Sequence, residues 1–196
     1  NLAELGKKDI PPVAAALESE LLFPALRGAD VRRWGVRPRI HVLIVQDPAT
    51  RAGVPESVLE ERWPRTAAYL GRFRRELLDR ALYRKYHRDA HRPYYSQFNV
   101  GPEMKAPFKV VWRRMARDLE AAVVSDWEGP LGRKMLVPLE TTAFIGVGSE
   151  DEAHYLCALL NSGVVRRFVR SFSAAGRGFG TPSAIAQIAL PRFDPS

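Results

Sequence analysis

Residues Phe108 to Val147, FKVVWRRMARDLEAAVVSDWEGPLGRKMLVPLETTAFIGV, decide the fold class. They hold four short apolar runs, Phe108 to Trp112, Ala121 to Ser125, Met135 to Leu139 and Ala143 to Val147, separated by turn signals such as Gly129-Pro130 and Gly132. Runs this short, rich in β-branched residues and this closely spaced, predict a twisted, largely antiparallel sheet.

Outward from this stretch the pattern becomes helical on both sides. Downstream, Ser149-Glu150-Asp151-Glu152 has the form of a capping box, so a helix should start there and carry Tyr155, Leu156, Leu159 and Leu160. Asn161-Ser162-Gly163 should break it, with a second helix from Val164 to Phe172, a last short helix capped by Thr181-Pro182, and a closing strand from Ile188 to Pro191. Upstream, Ala67, Tyr69, Leu70, Phe73, Leu77, Leu78, Ala81 and Leu82 follow three-and-four spacing after Pro64, which predicts one helix of about five turns. Pro64 suits its first turn, where a missing amide hydrogen costs nothing. Further upstream, Glu18 to Leu22 reads as a short helix ended by Phe23-Pro24, Leu26-Arg27-Gly28 as a turn, and Arg39 to Val45 as a buried strand. The expected class is mixed α+β, a largely antiparallel twisted sheet with flanking helices.

The 196 residues include 30 Lys and Arg against 22 Asp and Glu, a formal charge of +8, and 46% are apolar. Such a chain can bury an ordinary core, and its charge suits nucleic acid, an anionic membrane surface or an acidic protein. The apolar stretches Val13 to Leu17 and Val42 to Val45 are far shorter than the roughly 18 residues of a membrane span. One cysteine, Cys157, can form neither an internal disulfide nor a cysteine-rich zinc site, so a cytoplasmic setting is expected. The chain opens on Asn1 with no charged and then apolar leader pattern, and it reads as an excised fragment whose first residues, through Pro11-Pro12, are a linker.

Four small motifs have ordinary readings. Phe144-Ile145-Gly146-Val147-Gly148 matches FxGxG, a turn used to hold S-adenosylmethionine, but no Asn-Pro-Pro or Asp-Pro-Pro follows it, so a plain strand-to-helix turn is preferred. Asp89, Glu103 and Lys105 loosely fit a nuclease pattern for magnesium, yet Asp89 lies in a basic helix tail, and solvated charges are the simpler reading. His87 and His91 stand four apart without an obvious third metal ligand. Cys157, among Leu156, Ala158 and Leu159, reads as a buried inert thiol.

Three basic clusters are more informative. Arg80, Arg84, Arg88 and Arg92 recur every four residues and would form a helix stripe suited to phosphates. Lys105, Lys109, Arg113, Arg114 and Arg117 surround Trp112 and follow Tyr94 and Tyr95. Arg166, Arg167 and Arg170 form the third with Arg177, which lies in the loop Ala175-Gly176-Arg177-Gly178-Phe179-Gly180, where a mobile guanidinium could enter a groove and bond a guanine edge. Three separated clusters of one sign suggest a long polyanion, whereas a membrane would more simply take one amphipathic helix.

An ordered set of segments carries a resemblance. It comprises Glu20 to Trp34 (ELLFPALRGADVRRW), Trp63 to Leu70 (WPRTAAYL), Tyr94-Tyr95-Ser96, Lys109 to Arg113 (KVVWR), Ala153 to Ser162 (AHYLCALLNS), Gly178 to Pro182 (GFGTP) and Ile188 to Pro191 (IALP). Together they resemble the target recognition domain of adenine-N6 DNA methyltransferases of restriction-modification systems, the TaqI-like specificity domain. The resemblance implies a prokaryotic protein in which residues 18–196 are the recognition domain and residues 1–17 link it to an absent catalytic domain. That domain would bind S-adenosylmethionine; this chain would hold no cofactor or metal and would catalyse nothing alone. Its expected partners are double-stranded DNA and the catalytic domain, not a membrane. Base readout is expected from Arg177, Arg113, Arg114, Tyr95, Ser96 and Lys105, and backbone contact from Arg84, Arg88 and Lys109. The rival expectations are a domain docking onto a methyltransferase or restriction nuclease, and a self-contained nuclease.

Overall fold

A computed structural model describes residues 10–86, 92–116, 118–172 and 180–194. In chain order its elements begin with β1 (Leu22–Leu26), β2 (Val31–Arg32), β3 (Gly35–Val36), β4 (Ile40–Leu43), β5 (Gln46–Asp47) and β6 (Ala52–Gly53). Helices α1 (Glu56–Arg62), α2 (Pro64–Gly71), α3 (Arg74–Leu78) and α4 (Ala81–Tyr86) follow. Then come β7 (Phe108–Arg113), β8 (Ala121–Val124), β9 (Asp126–Gly129), β10 (Gly132–Met135), β11 (Val137–Pro138) and β12 (Thr142–Val147). Helices α5 (Glu150–Asn161), α6 (Gly163–Phe172) and α7 (Pro182–Ile185) close the order. The fold is mixed α+β, and the chain divides into a helical unit, residues 1–19 with 53–96, and a sheet unit, residues 20–52 with 97–196.

In the sheet unit, β7 is the middle strand of an antiparallel β12-β7-β8 sheet, with Trp112 facing Ala143 and Ala121. Both faces of β7 are covered, which explains why Val110, Val111 and Trp112 are consecutive and all buried. Val110 and Trp112 meet Ala153, Cys157, Leu160, Val165 and Val169 of α5 and α6. On the other face, Val111 meets Leu26, Val31 and Leu136. The second sheet, β11-β1-β4, is mixed: β1 runs antiparallel to β4 and parallel to β11.

Strand β1 stands where a short helix and a turn were expected; only Ser19–Leu21 is helical, a 3-10 turn. Pro24 argues against a central strand because it has no amide to donate. The conflict is avoided by register: β11 pairs only with Ala25 and Leu26, so at Pro24 the strand has a partner on the β4 side alone. Residues Ile188 to Pro191 are not a strand, since no ladder reaches them.

The serine cap is present: Ser149 is extended at φ −115°, its hydroxyl accepts from the Glu152 amide, and α5 runs on to Asn161. Asn161 then closes the helix against the sheet, donating from Nδ2 to the Ala121 carbonyl and accepting the Ala121 amide at Oδ1, each at 2.9 Å.

In the helical unit, the single long helix expected after Pro64 is three short ones. The interruption at Asp79-Arg80 has a visible cause. Arg80 turns its guanidinium inward, donating to the carbonyls of Leu77, Tyr94 and Ser96 at 2.8 to 2.9 Å, and this clamp holds the chain after α4. Glu18 caps α2 from a distant segment, accepting from the amides of Arg65 and Thr66 and from the Thr66 hydroxyl. Partial burial pushes its carboxyl upward, but these bonds outweigh that and hold it below the usual carboxylate range.

Candidate nucleic-acid interface

The C-terminal end of β7 gathers cations from separate parts of the sheet unit. Arg113 donates from Nε to the Val31 carbonyl at 2.8 Å, tying β7 to the β2–β3 hairpin. Arg114 donates through its side chain to the Glu140 carbonyl and through its amide to that of Thr141. The turn before β2 reaches the same place: the Gly28 amide donates to Thr141 Oγ1 at 2.8 Å, and a β-carbon at Gly28 would stand 2.8 Å from the Thr141 carbonyl oxygen. The hairpin tip, Arg33-Trp34, is exposed, and the Trp34 amide is bonded to the Ala121 carbonyl at the start of β8.

This end holds a cluster that the sequence reading passed over. Arg27, Arg32, Arg33, Arg37 and Arg39 lie within thirteen residues with Asp30 as the lone acid among them. The signal was present in that local charge, which straddles the turn read at Leu26-Arg27-Gly28 and the strand read from Arg39. Buried Asp30 offsets Arg27 at 3.4 Å and Arg39 at 4.0 Å, while Arg33 has no charged partner among the described residues. Two arginines of the third cluster, Arg166 and Arg170, lie 3.5 and 3.2 Å from Asp118 in the β7–β8 connection.

Gly180 fixes where the chain returns after α6. Its amide donates to the Arg114 carbonyl, its carbonyl accepts Trp112 Nε1 at 2.8 Å, and a β-carbon there would overlap the Arg113 carbonyl oxygen. Arg177, Arg88 and Arg117 lie outside the described residues, as do His87, Asp89 and His91.

Several expected contacts change. Tyr95 and Ser96 are 2% and 1% exposed; the Tyr95 hydroxyl donates to the Val54 carbonyl and the Ser96 hydroxyl to that of Pro93, so neither can reach a base edge. Burial raises the Tyr95 phenol well above its ordinary range, with Glu56 adding to it. Lys109 is 1% exposed, and its ammonium donates to the Ala106 carbonyl, so it cannot touch a phosphate backbone. Burial pushes its pKa down, with Asp126 opposing. Lys105 is exposed but sits before the N-terminal end of β7, 3.7 Å from Asp47. It precedes β7 in the chain, whereas Arg113 and Arg114 stand at the other end of that strand. Arg84, in the helical unit, is exposed and paired with Asp79 at 3.1 Å, and with Arg80 turned inward the described residues form no continuous arginine stripe.

The structure also decides the minor motifs. Gly146 of FxGxG lies inside the β12–β7 ladder opposite Lys109, and a β-carbon there would meet the Ala106 β-carbon at 2.6 Å. Its smallness serves packing, and these residues do not fit a cradle for S-adenosylmethionine. Glu103 is bonded to Arg51 at 2.9 Å, and no group of three potential metal ligands occurs among the described residues. The Cys157 thiol is buried, and burial raises its pKa to about 11 against the opposing Asn161 hydrogen bond. No helix among the described residues is long and apolar enough to cross a membrane.

No protein-family model matches the chain. Over 155 residues, 79% of its length, the chain is 26% identical to the type II methyltransferase M.NspV of Nostoc sp.. It spans 30% of the length of that curated relative.

Proposed function

Taking that similarity as the starting point, we propose that this chain is the DNA-reading part of an adenine-N6 methyltransferase of a restriction-modification system, binding double-stranded DNA through the C-terminal end of β7. The observation that carries the proposal is the convergence there of Arg113, Arg114 and the arginine-rich β2–β3 hairpin. In this reading Arg32, Arg33 and Arg114 hold phosphates. Arg113, whose Nε is occupied by the Val31 carbonyl, turns its remaining guanidinium donors toward a base edge. Arg177 stays a base-reading candidate on its sequence setting, a glycine-flanked arginine. S-adenosylmethionine and the methyl transfer belong to the part of the protein outside this chain.

Phosphate contacts release counterions, so affinity for duplex DNA should fall with a log-log salt slope of about −0.9 per contact. Fluorescence anisotropy with a labelled duplex between low and moderate salt tests this, and a flat curve rejects the proposal. A docking role also has one observation in its favour, since Leu78, Leu82 and Tyr86 of the helical unit are exposed at intervals of four. It predicts that Leu82→Glu abolishes association with the methyltransferase part, supplied separately, while duplex binding stays intact.

A further inference from the structure

Trp34 is anomalous in two independent ways. Its φ is +70°, in the second central position of a two-residue connection between Arg32 and Gly35, where glycine or asparagine normally stands because a β-carbon is disfavoured. The residue is also 60% exposed, although an indole is among the most rewarding groups to bury. Of the other tryptophans, Trp112 is 2% exposed with its Nε1 bonded, Trp63 lies under the Arg62 guanidinium, and Trp127, beside Gly129, is 37% exposed, well below Trp34. No hydrogen bond of the indole and no ring contact to it occurs among the described residues.

A strained, exposed aromatic residue contributes nothing evident to folding, yet its backbone is held firmly. The Trp34 amide is bonded to Ala121, the Arg37 amide to Asp30, and Val31 to the Arg113 side chain. Such over-determination of an unfavourable conformation is characteristic of functional positions. The chemistry presented is one flat π surface beside Arg33 at the tip of a rigid ribbon. A polyanion backbone alone would need only the cation; the ring adds a surface that matches the face of a nucleobase.

Resting on the DNA-binding reading, we infer that Trp34 stacks on a nucleobase where the duplex is locally opened, with the adjacent arginine holding the flanking phosphate. The stacking partner is any base face, so the residue strengthens binding to opened DNA without specifying sequence.

The test uses the whole chain with two duplexes of one sequence, one intact and one carrying a single abasic site, which frees the opposite base from its pair. The wild type should bind the abasic duplex more tightly by about tenfold, in keeping with base–aromatic stacking. Trp34→Ala and Trp34→Gly should lose that preference, and Trp34→Phe should keep most of it. Intact-duplex affinity should change by less than about threefold in all of them, because the phosphate contacts remain. Trp34→Gly should also melt at the same or a higher temperature than the wild type, since glycine accepts positive φ. Intact-duplex binding with equal preference in wild type and Trp34→Ala overturns the stacking role alone, as does a clear fall in the melting temperature of Trp34→Gly. Absence of duplex binding by the wild type overturns both this inference and the reading beneath it.

Discussion

The two ends of strand β7 carry similar charge in the sequence and have opposite fates. At the N-terminal end, Lys109 is enclosed beside Gly146 with its ammonium on the Ala106 carbonyl, and Lys105 faces Asp47. At the C-terminal end, Arg113 meets the β2–β3 hairpin at the Val31 carbonyl and Arg114 meets the Glu140 carbonyl, and both remain partly open to solvent, bonded to carbonyls rather than to carboxylates. Lys109 and Arg113 are four residues apart on one face of the same strand. A carbonyl bond leaves a guanidinium its full charge and further donors, so the second end can still bind an anion, whereas burial removes the first. Positive charge density along a chain is therefore a poor guide to a binding surface until partners and burial are known.

The largest expected effect separates the two ends directly. Replacing Arg33, Arg113 and Arg114 by Ala should weaken duplex binding by about 100-fold and reduce the salt slope by about 2, since Arg33 and Arg114 hold phosphates and Arg113 a base edge. Lys105→Ala should change affinity by less than about twofold at moderate salt, since its charge is already offset by Asp47. Equal losses from the two sets, measured by anisotropy, would break the comparison.

Next comes Gly180→Ala, which forces a β-carbon against the Arg113 carbonyl. It should cost about 1–3 kcal/mol in chemical denaturation through overpacking and weaken duplex binding, because the carbonyls of Arg113 and Arg114 shift with it. Asn161→Ala should cost about 1–3 kcal/mol, since it leaves the Ala121 amide and carbonyl without the side-chain bonds that they now have. A neutral result in denaturation would mean that water replaces the amide and that α5 does not fix this end of the sheet.

The smallest effect concerns Lys109. Folding lowers its pKa, so the unfolded chain binds this proton more readily, and the wild type carries a penalty at neutral pH. The penalty is relieved as pH rises toward and through the folded-state value. Lys109→Met should therefore melt within a few degrees of the wild type at neutral pH and lose part of the gain in stability seen toward higher pH. It should leave duplex binding unchanged. A wild-type advantage that grows as pH falls would contradict the sign.

Acidification offers a parallel check on the helical unit. The Glu18 carboxyl is held low in the folded state, so its stabilisation is present above the unfolded carboxylate pKa and disappears as pH falls below about 4.

Much of the architecture was legible in residues 108–172 because its signals are local. The strand runs are bounded by turn residues, and a serine three residues before a glutamate marks the start of α5. The arrangement was illegible where a distant partner overrides a local pattern. Arg80 breaks a periodic helix to reach the Tyr94 and Ser96 carbonyls, and Pro24 sits in β1 because the β11 ladder starts one residue later. The candidate site was half visible: Arg113 and Arg114 stood out, while Trp34 and the arginines around it carried no signal of their own beyond local charge.

By itself the sequence determined the α+β class, the basic charge, strands β7, β8 and β12 and helices α5 and α6, since these follow from composition, periodicity and caps. Only the tertiary structure decided which cations face outward together and that one tryptophan stands exposed among them. Availability depends on neighbours far along the chain, such as Gly146 over Lys109 and Val31 beside Arg113, and no local pattern encodes those approaches.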